Sequence, residues 1–374
     1  MTGVYVHLPF CPYICPYCDF AKWPHRRSMA ERYLSALARE IAAHPPAQAS
    51  SIFLGGGTPN AYPASDIALL AAQLRTHFTF SSNPEFTIEL NPELVLPDDF
   101  ERYAAAGINR VSIGVQSFIS TEIATLGRRH TRADVEAAVQ GARAAGIRSI
   151  SLDLMFAVPG QTAESWRTSL QAAIDLGLDH ISTYGLTIED GTPYAIWQQR
   201  EPAAFFDDGR EADLYEITIK SLETAGFEQY EISNFSTPGH RCAHNANYWE
   251  NGEYIGLGVG AASYRDGVRS VHTRELSVYL EAIESGCAIP AEAERLEGAR
   301  AAGEAVMLAL RTSQGVSFAP FKERYGLEFL EFYAPVVERF VDDGLLAIDS
   351  TRARLTRRGR FLANDVCGAF VTFA

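Results

Sequence analysis

Up to about residue 225, apolar positions follow two alternating periods. Short runs rich in β-branched and aromatic residues, at 4–8, 51–54, 86–90, 110–115, 150–156 and 180–186, predict strands. Between them, apolar residues recur three and four apart, as in Ala30, Tyr33, Leu34, Leu37 and Ile41, and predict helices. Further helices are expected at 65–77, after Pro97, at 132–145, at 164–176 and at 207–225. Gly146, Gly177 and Gly226 stand just past the last three, where a left-handed cap is expected. Six βα units in succession predict an α/β fold with a parallel sheet, either doubly wound or an incomplete barrel. The polar motifs sit at the ends of successive strands, where barrel sites are built, and so favour a partial (βα)6 barrel.

The pattern changes after residue 226. Residues 228–264 are aromatic and glycine-rich, with no helical period, and predict an antiparallel extension with loops. A polar stretch at 289–297 suggests a boundary. Beyond it come a helix at 302–310, a strongly amphipathic helix carrying Phe329, Val336, Val337 and Phe340, and a hairpin at 345–356. A winged-helix-like module and a plain helical cap fit this order equally. The expected division is a barrel at 1–226, the extension at 227–290 and a mainly helical domain at 291–374.

A length of 374 residues calls for a large domain plus a smaller one. The formal charge of −14 means that the overall field attracts neither nucleic acid nor anionic lipid. A local basic patch stays open at Arg352, Arg354, Arg357, Arg358 and Arg360. No apolar run approaches the roughly 20 residues of a membrane span, and residues 4–8 read as a strand rather than a secretory signal. A cytoplasmic location is therefore expected. Of six cysteines, three crowd into eight residues, which in a reducing compartment reads as metal ligation. Cys287 and Cys367 read as structural bystanders.

The crowded motif is Cys11-Pro-Tyr-Ile-Cys15-Pro-Tyr-Cys18, directly after the first strand. Three thiolates on one loop suit three corners of a [4Fe–4S] cube and leave the fourth iron open for a ligand. Pro9, Phe10, Tyr17 and Phe20 flank the loop and limit solvent access. The alternative is a zinc knuckle completed by His7 or His25, although zinc ligands usually come as two separated clips. Gly55-Gly56-Gly57-Thr58 follows the second strand, where glycine lets backbone groups approach a ligand. Glu89, Gln116 and Asp153 lie at or in the third, fourth and fifth strands, and Arg128 follows the fourth. Singly, each reads as a satisfied buried polar group; their recurrence at successive strands suggests a barrel mouth.

The C-x3-C-x2-C loop after a first strand resembles that of the radical SAM superfamily. The resemblance implies a partial (βα)6 barrel whose cluster, supplied by an electron donor, reduces S-adenosylmethionine to methionine and a 5′-deoxyadenosyl radical. Tyr5-Val-His7-Leu-Pro9-Phe-Cys11 and Phe156-Ala-Val-Pro159-Gly160-Gln161-Thr162 are similar to strings of the coproporphyrinogen-oxidase-like subfamily across the whole chain. By that match Tyr5, Tyr17, Gly56, Gly57, Thr58, Glu89, Gln116, Arg128 and Asp153 are the expected S-adenosylmethionine contacts. Ala157 stands where that string usually has glycine, a change that adds only a methyl.

Two activities lie within the subfamily. The oxygen-independent coproporphyrinogen III dehydrogenase, which decarboxylates propionates to vinyl groups, carries a further cysteine where this chain has Phe20. HemW-type haem chaperones have phenylalanine there and an HNxxYW motif, present here as His244-Asn245-Ala-Asn-Tyr248-Trp249 after Cys242. That resemblance implies a carrier that binds haem and passes it to acceptor apoproteins, membrane-associated ones among them. His244 and Cys242 are rival candidates for the haem iron, and Asn245, Tyr248 and Trp249 for contacts with the macrocycle. The alternative is that His244 and Asn245 only brace the glycine-rich extension. His7 shares a strand face with Tyr5, either near the cluster or as a hydrogen-bonded core histidine.

Overall fold

A computed structural model describes residues 2–373, apart from the side chains at 81 and 82. Its principal elements begin with six strand–helix units. These are β1 (Thr2–Leu8) and α1 (Arg27–Ala43), β2 (Gln48–Gly56) and α2 (Ala64–His77), β3 (Thr79–Leu90) and α3 (Asp99–Ala105). They continue with β4 (Arg110–Gln116) and α4 (Arg132–Ala144), β5 (Ser149–Phe156) and α5 (Ala163–Asp175), β6 (His180–Gly185) and α6 (Asp208–Thr224). The six strands pair in parallel and lie in sequence order. A doubly wound sheet would reverse that order at a switch point. An unbroken order, joined by right-handed crossovers, puts every helix on one face and curls the strands into a partial barrel.

Local chemistry supports each unit. Thr131 and Asp134 form a reciprocal cap at the start of α4, as Thr162 and Ser165 do for α5. The glycines after α4, α5 and α6 all have positive φ, as expected. One apolar cluster runs from Val4, Val6 and Leu8 through Ile52, Ile88, Ile113 and Leu152 to the inner faces of the helices.

The region after α6 departs from the sequence reading in two ways. It is antiparallel only in part: β7 (Asn234–Ser236) pairs antiparallel with β6, but β8 (Glu253–Leu257) runs parallel to β1. Both edges of the partial barrel are thereby covered. The region also contains a helix, α7 (Ala243–Trp249), which carries the HNxxYW motif. Seven residues are too few for a period to show, and tertiary contacts hold them instead. From β8 the sheet continues antiparallel through β9 (Ala262–Arg265), β10 (Val268–His272) and, after α8 (Leu276–Ser285), β11 (Ala291–Arg295). The polar stretch at 289–297 therefore contains a strand of this sheet.

After Gly298 a second apolar cluster forms, containing Val306, Phe321, Phe329, Tyr333, Phe340 and Phe370. Its helices pack with a three-stranded antiparallel sheet, the arrangement of a winged helix rather than a plain cap. The arginines that suggested a basic patch are engaged inside the chain. Arg357 meets Glu216 and Glu223, Arg354 meets Asp349, and Arg360 donates to Gln229.

Candidate functional site

Two connected spaces occupy the barrel. The outer one, about 540 Å³, lies at the C-terminal ends of the strands and is lined by all three motif cysteines. Cys11 is buried against Phe10 at the end of β1, while Cys15 and Cys18 are half-buried. Pro9 and Cys11 accept backbone hydrogen bonds from Trp23 (2.9 Å) and His25 (2.8 Å), which folds the loop back on itself. All three thiols are free. A single-ion site would need its ligands converged on one point, and among the described residues no group of His, Cys, Asp and Glu is so placed. A cluster takes one thiolate at each corner, so its ligands line a space rather than meet at a point, and all three thiols line this one. The zinc knuckle loses its fourth ligand as well. His7 is buried with Nδ1 3.0 Å from the Tyr5 hydroxyl and Nε2 2.7 Å from the Ala21 carbonyl; His25, whose Nε2 has no partner, packs edge-on against Phe10 and Tyr62 and is not grouped with the three thiols. Burial pushes the Cys11 thiol up to about 11, so a thiolate there needs a bound cation.

The same space is lined by Gly56, Gly57, Thr58, Glu89, Asn91, Gln116, Arg128, Asp153 and Tyr17. The glycine run has a packing reason that the sequence did not show. Gly56 has φ +109°, and a Cβ there would lie 2.3 Å from His7 Nδ1. A Cβ on Gly57 would lie 2.7 Å from the Leu8 carbonyl oxygen. Gly56 N–H donates to Glu89 Oε2 at 3.1 Å. Burial and then Asp153 push Glu89 up to about 7. Asp153 is raised too by burial, while Ser182 and Ser112 hold it down by hydrogen bonds, the latter at 3.0 Å. Arg128 donates Nη2 to Asn91 Oδ1 at 2.9 Å and to the Gly114 carbonyl, and its buried Nε has no partner. Gln116 ends β4 at φ +65°, beside a register shift against β5, which turns it toward the cavity. Tyr5 lines the inner space rather than the cluster cavity.

The inner space is smaller, about 280 Å³, and shares Phe20, Gly56, Glu89, Ser112, Asp153 and Tyr184 with the outer one. Its far wall is α7. His244 is buried, with Nδ1 2.9 Å from Ser51 Oγ and Nε2 2.8 Å from the Tyr248 hydroxyl, and it stacks on Phe53. Burial lowers it to about 3, so it stays neutral. Glu85 accepts from the backbone of Ala243 and His244, both at 2.9 Å, and from the Cys242 thiol at 3.4 Å. Burial pushes that thiol up to about 12. Neither haem-iron candidate offers a free ligating atom here, and the space falls below the roughly 300–1,000 Å³ of sites for drug-sized ligands. Cys242, His244, Asn245 and Tyr248 all line the inner space, but Trp249 lies beneath the guanidinium of Arg311 at 5.3 Å, against the C-terminal domain. Four of the five residues thus face one space, and Trp249 faces away from it.

Several residues escaped the sequence reading. Asn91, which accepts from Arg128, and Ser112 and Ser182, which hold Asp153, were signalled only by polar residues in otherwise apolar strands. Tyr13, which donates to Glu93, and Tyr184 carried no signal.

A cluster-binding loop at the head of a partial barrel defines the radical SAM class, and a model of the Radical SAM superfamily matches residues 5–173. The HemN C-terminal domain model matches residues 297–362. The chain is 34% identical over 376 residues to the heme chaperone HemW of Bacillus subtilis, covering 99% of each chain. It is 36% identical to that of Mycobacterium tuberculosis, covering 97% of this chain and 93% of that one. In structure it resembles the coproporphyrinogen III oxidase HemN of Escherichia coli, with TM-score 0.87 and 25% identity over 100% of this chain and 90% of the other. The chain belongs to the radical SAM superfamily and, within it, to the family of the heme chaperone HemW. Membership brings a [4Fe–4S] cluster and S-adenosylmethionine, and the cavity's free thiols and unpartnered Arg128 Nε fit both.

Proposed function

We propose that this chain is a haem carrier of the cytoplasm that binds haem and passes it to acceptor apoproteins, membrane-associated ones included. The observation that carries this reading over a porphyrin enzyme is Phe20. It stands two residues after Cys18, where the dehydrogenase pattern has a cysteine, and it is 67% exposed at the junction of both cavities. An apolar ring there lines a passage but ligates nothing.

In this reading Cys11, Cys15 and Cys18 hold the cluster. When bound, it supplies an electron, received from a donor protein, at the sulfonium of S-adenosylmethionine. Arg128 pairs with the methionine carboxylate through its free Nε. Glu89 and Asp153 take the ammonium and ribose hydroxyls, while Gly56, Gly57, Thr58, Gln116 and Tyr17 shape the walls. Tyr5 acts from behind, through His7. The HNxxYW helix closes the inner chamber, and Trp249 joins it to the C-terminal domain.

The test uses anaerobically purified chain with intact cluster. Haemin titration is expected to give a saturable Soret band at one haem per chain. The same protein, given coproporphyrinogen III, reductant and S-adenosylmethionine, is expected to form no protoporphyrinogen IX. Turnover to that product would establish the second reading, a dehydrogenase, which the likeness to coproporphyrinogen III oxidase supports.

A further inference from the structure

A third space, also about 540 Å³, lies outside the barrel. Its walls are the C-terminal end of α1, the strands β8–β10 and the segment after α8. Val268, Ser270 and His272 alternate onto it from β10, and Ser263 and Arg265 from β9. Ala43, Pro45, Ile283, Ala288 and Ile289 supply apolar wall.

Set into that wall are two imidazoles and a thiol. Cys287 is free and exposed. His44 has Nδ1 2.7 Å from the Pro45 carbonyl, and His272 has Nδ1 3.0 Å from the Gly258 carbonyl. Each carbonyl fixes the proton on Nδ1 and leaves the Nε2 lone pair unspent, the state in which histidine binds a metal. Behind His272 stands Glu40, 7% exposed, with Oε1 3.5 Å from His272 Nδ1. Oε1 has no hydrogen-bond partner, while Oε2 accepts from Gly258 N–H at 2.9 Å and from Tyr279 at 2.6 Å. Arg265 also lines the cleft, and its buried Nε is without a partner.

These features describe one class of ligand: broad and apolar, with a transition metal at its centre and a carboxylate at its rim. We propose that this cleft seats the haem, with Cys287 and His272 supplying iron ligands and Arg265 receiving a propionate. The assignment rests on the carrier reading and gives the cargo a place remote from the cluster. A thiolate and an imidazole are both ordinary haem ligands. The Gly258 carbonyl then holds His272 in its ligating tautomer, with the Glu40 carboxyl 3.5 Å behind the ring. The placement also explains how haem is carried while the motif histidine stays buried in its own hydrogen bonds.

The test compares haemin binding by the cluster-loaded full chain and its variants Cys287→Ala, His272→Ala, Arg265→Gln and His244→Ala. Cys287→Ala and His272→Ala are expected to shift the Soret band and weaken binding about tenfold or more. Arg265→Gln is expected to weaken binding several-fold with no band shift, and His244→Ala to leave the band in place. Cys287 is exposed, so its removal leaves the fold intact, which a thermal melt checks. If wild type binds haemin and all three cleft variants keep its band and affinity, the cleft is not the seat although the carrier reading stands. If wild type binds none, both fall together.

Discussion

At the mouth of the barrel, Arg128 keeps a buried Nε with no partner, and Glu89 shares its one hydrogen bond with the Gly56 amide beside an open cavity. At the floor, Glu85 spends both oxygens on the start of α7 and the Cys242 thiol, and His244 spends both ring nitrogens. Both places carry carboxylates and thiols. Unspent hydrogen-bonding capacity separates them, because a buried group already satisfied gains nothing from a ligand, whereas an unsatisfied one costs about 1–3 kcal/mol until a ligand arrives. By that criterion the mouth is the candidate binding site and Glu85 and His244 form a structural knot at the floor, where Thr87 Oγ1 is buried without a partner.

The sharpest break in this contrast is Cys15→Ala. It takes away a corner ligand at the mouth, so iron content should fall from about four per chain toward none, read by metal analysis of anaerobic protein. Retained iron would mean that the loop is not the cluster site. At the floor, His244→Ala strands Ser51 Oγ and the Tyr248 hydroxyl and opens a void against Phe53. Denaturant unfolding should show a loss of about 2–4 kcal/mol; a neutral result would dissolve the knot.

Glu89 sharpens the mouth further. Burial and Asp153 hold its carboxyl up at about 7, above the ordinary value, so it is fully charged only at higher pH. An ammonium ligand needs the anion. S-adenosylmethionine affinity should therefore rise with pH from 6 toward 8, by up to about tenfold per unit below 7, and then level off. Glu89→Gln should be flat across this range, and a wild-type profile equally flat would remove Glu89 from the ammonium site.

The smallest effect concerns Ala157, just past β5. The methyl there looked harmless in the sequence, but the residue has φ +60°, a left-handed backbone that costs a non-glycine residue about 1–2 kcal/mol. Ala157→Gly relieves that strain and adds unfolded-state entropy, for a net gain of about 0.5 kcal/mol. A melt showing destabilisation would mean that the methyl earns its place by packing.

The periods of 2 and 3.6 found six strands and their helices, because each apolar run has one face to bury, although β3 begins at Thr79, ahead of its expected start at 86. Spacing alone put Cys11, Cys15 and Cys18 on one loop, and the order of motifs put Glu89, Gln116 and Asp153 at one end of the barrel. Tertiary structure decided what no local pattern records. It turned α7 into a helix by capping it with Glu85, a residue more than 150 positions distant. It ran β8 parallel to β1, and it packed the His7 ring where a Cβ on Gly56 would stand. It also set Cys287, an apparent bystander, on one cleft with His272 and Arg265. Periodicity reports which face of a segment is buried, whereas partners are chosen by distance in space, and only the folded chain brings residues so far apart in sequence within reach of one another.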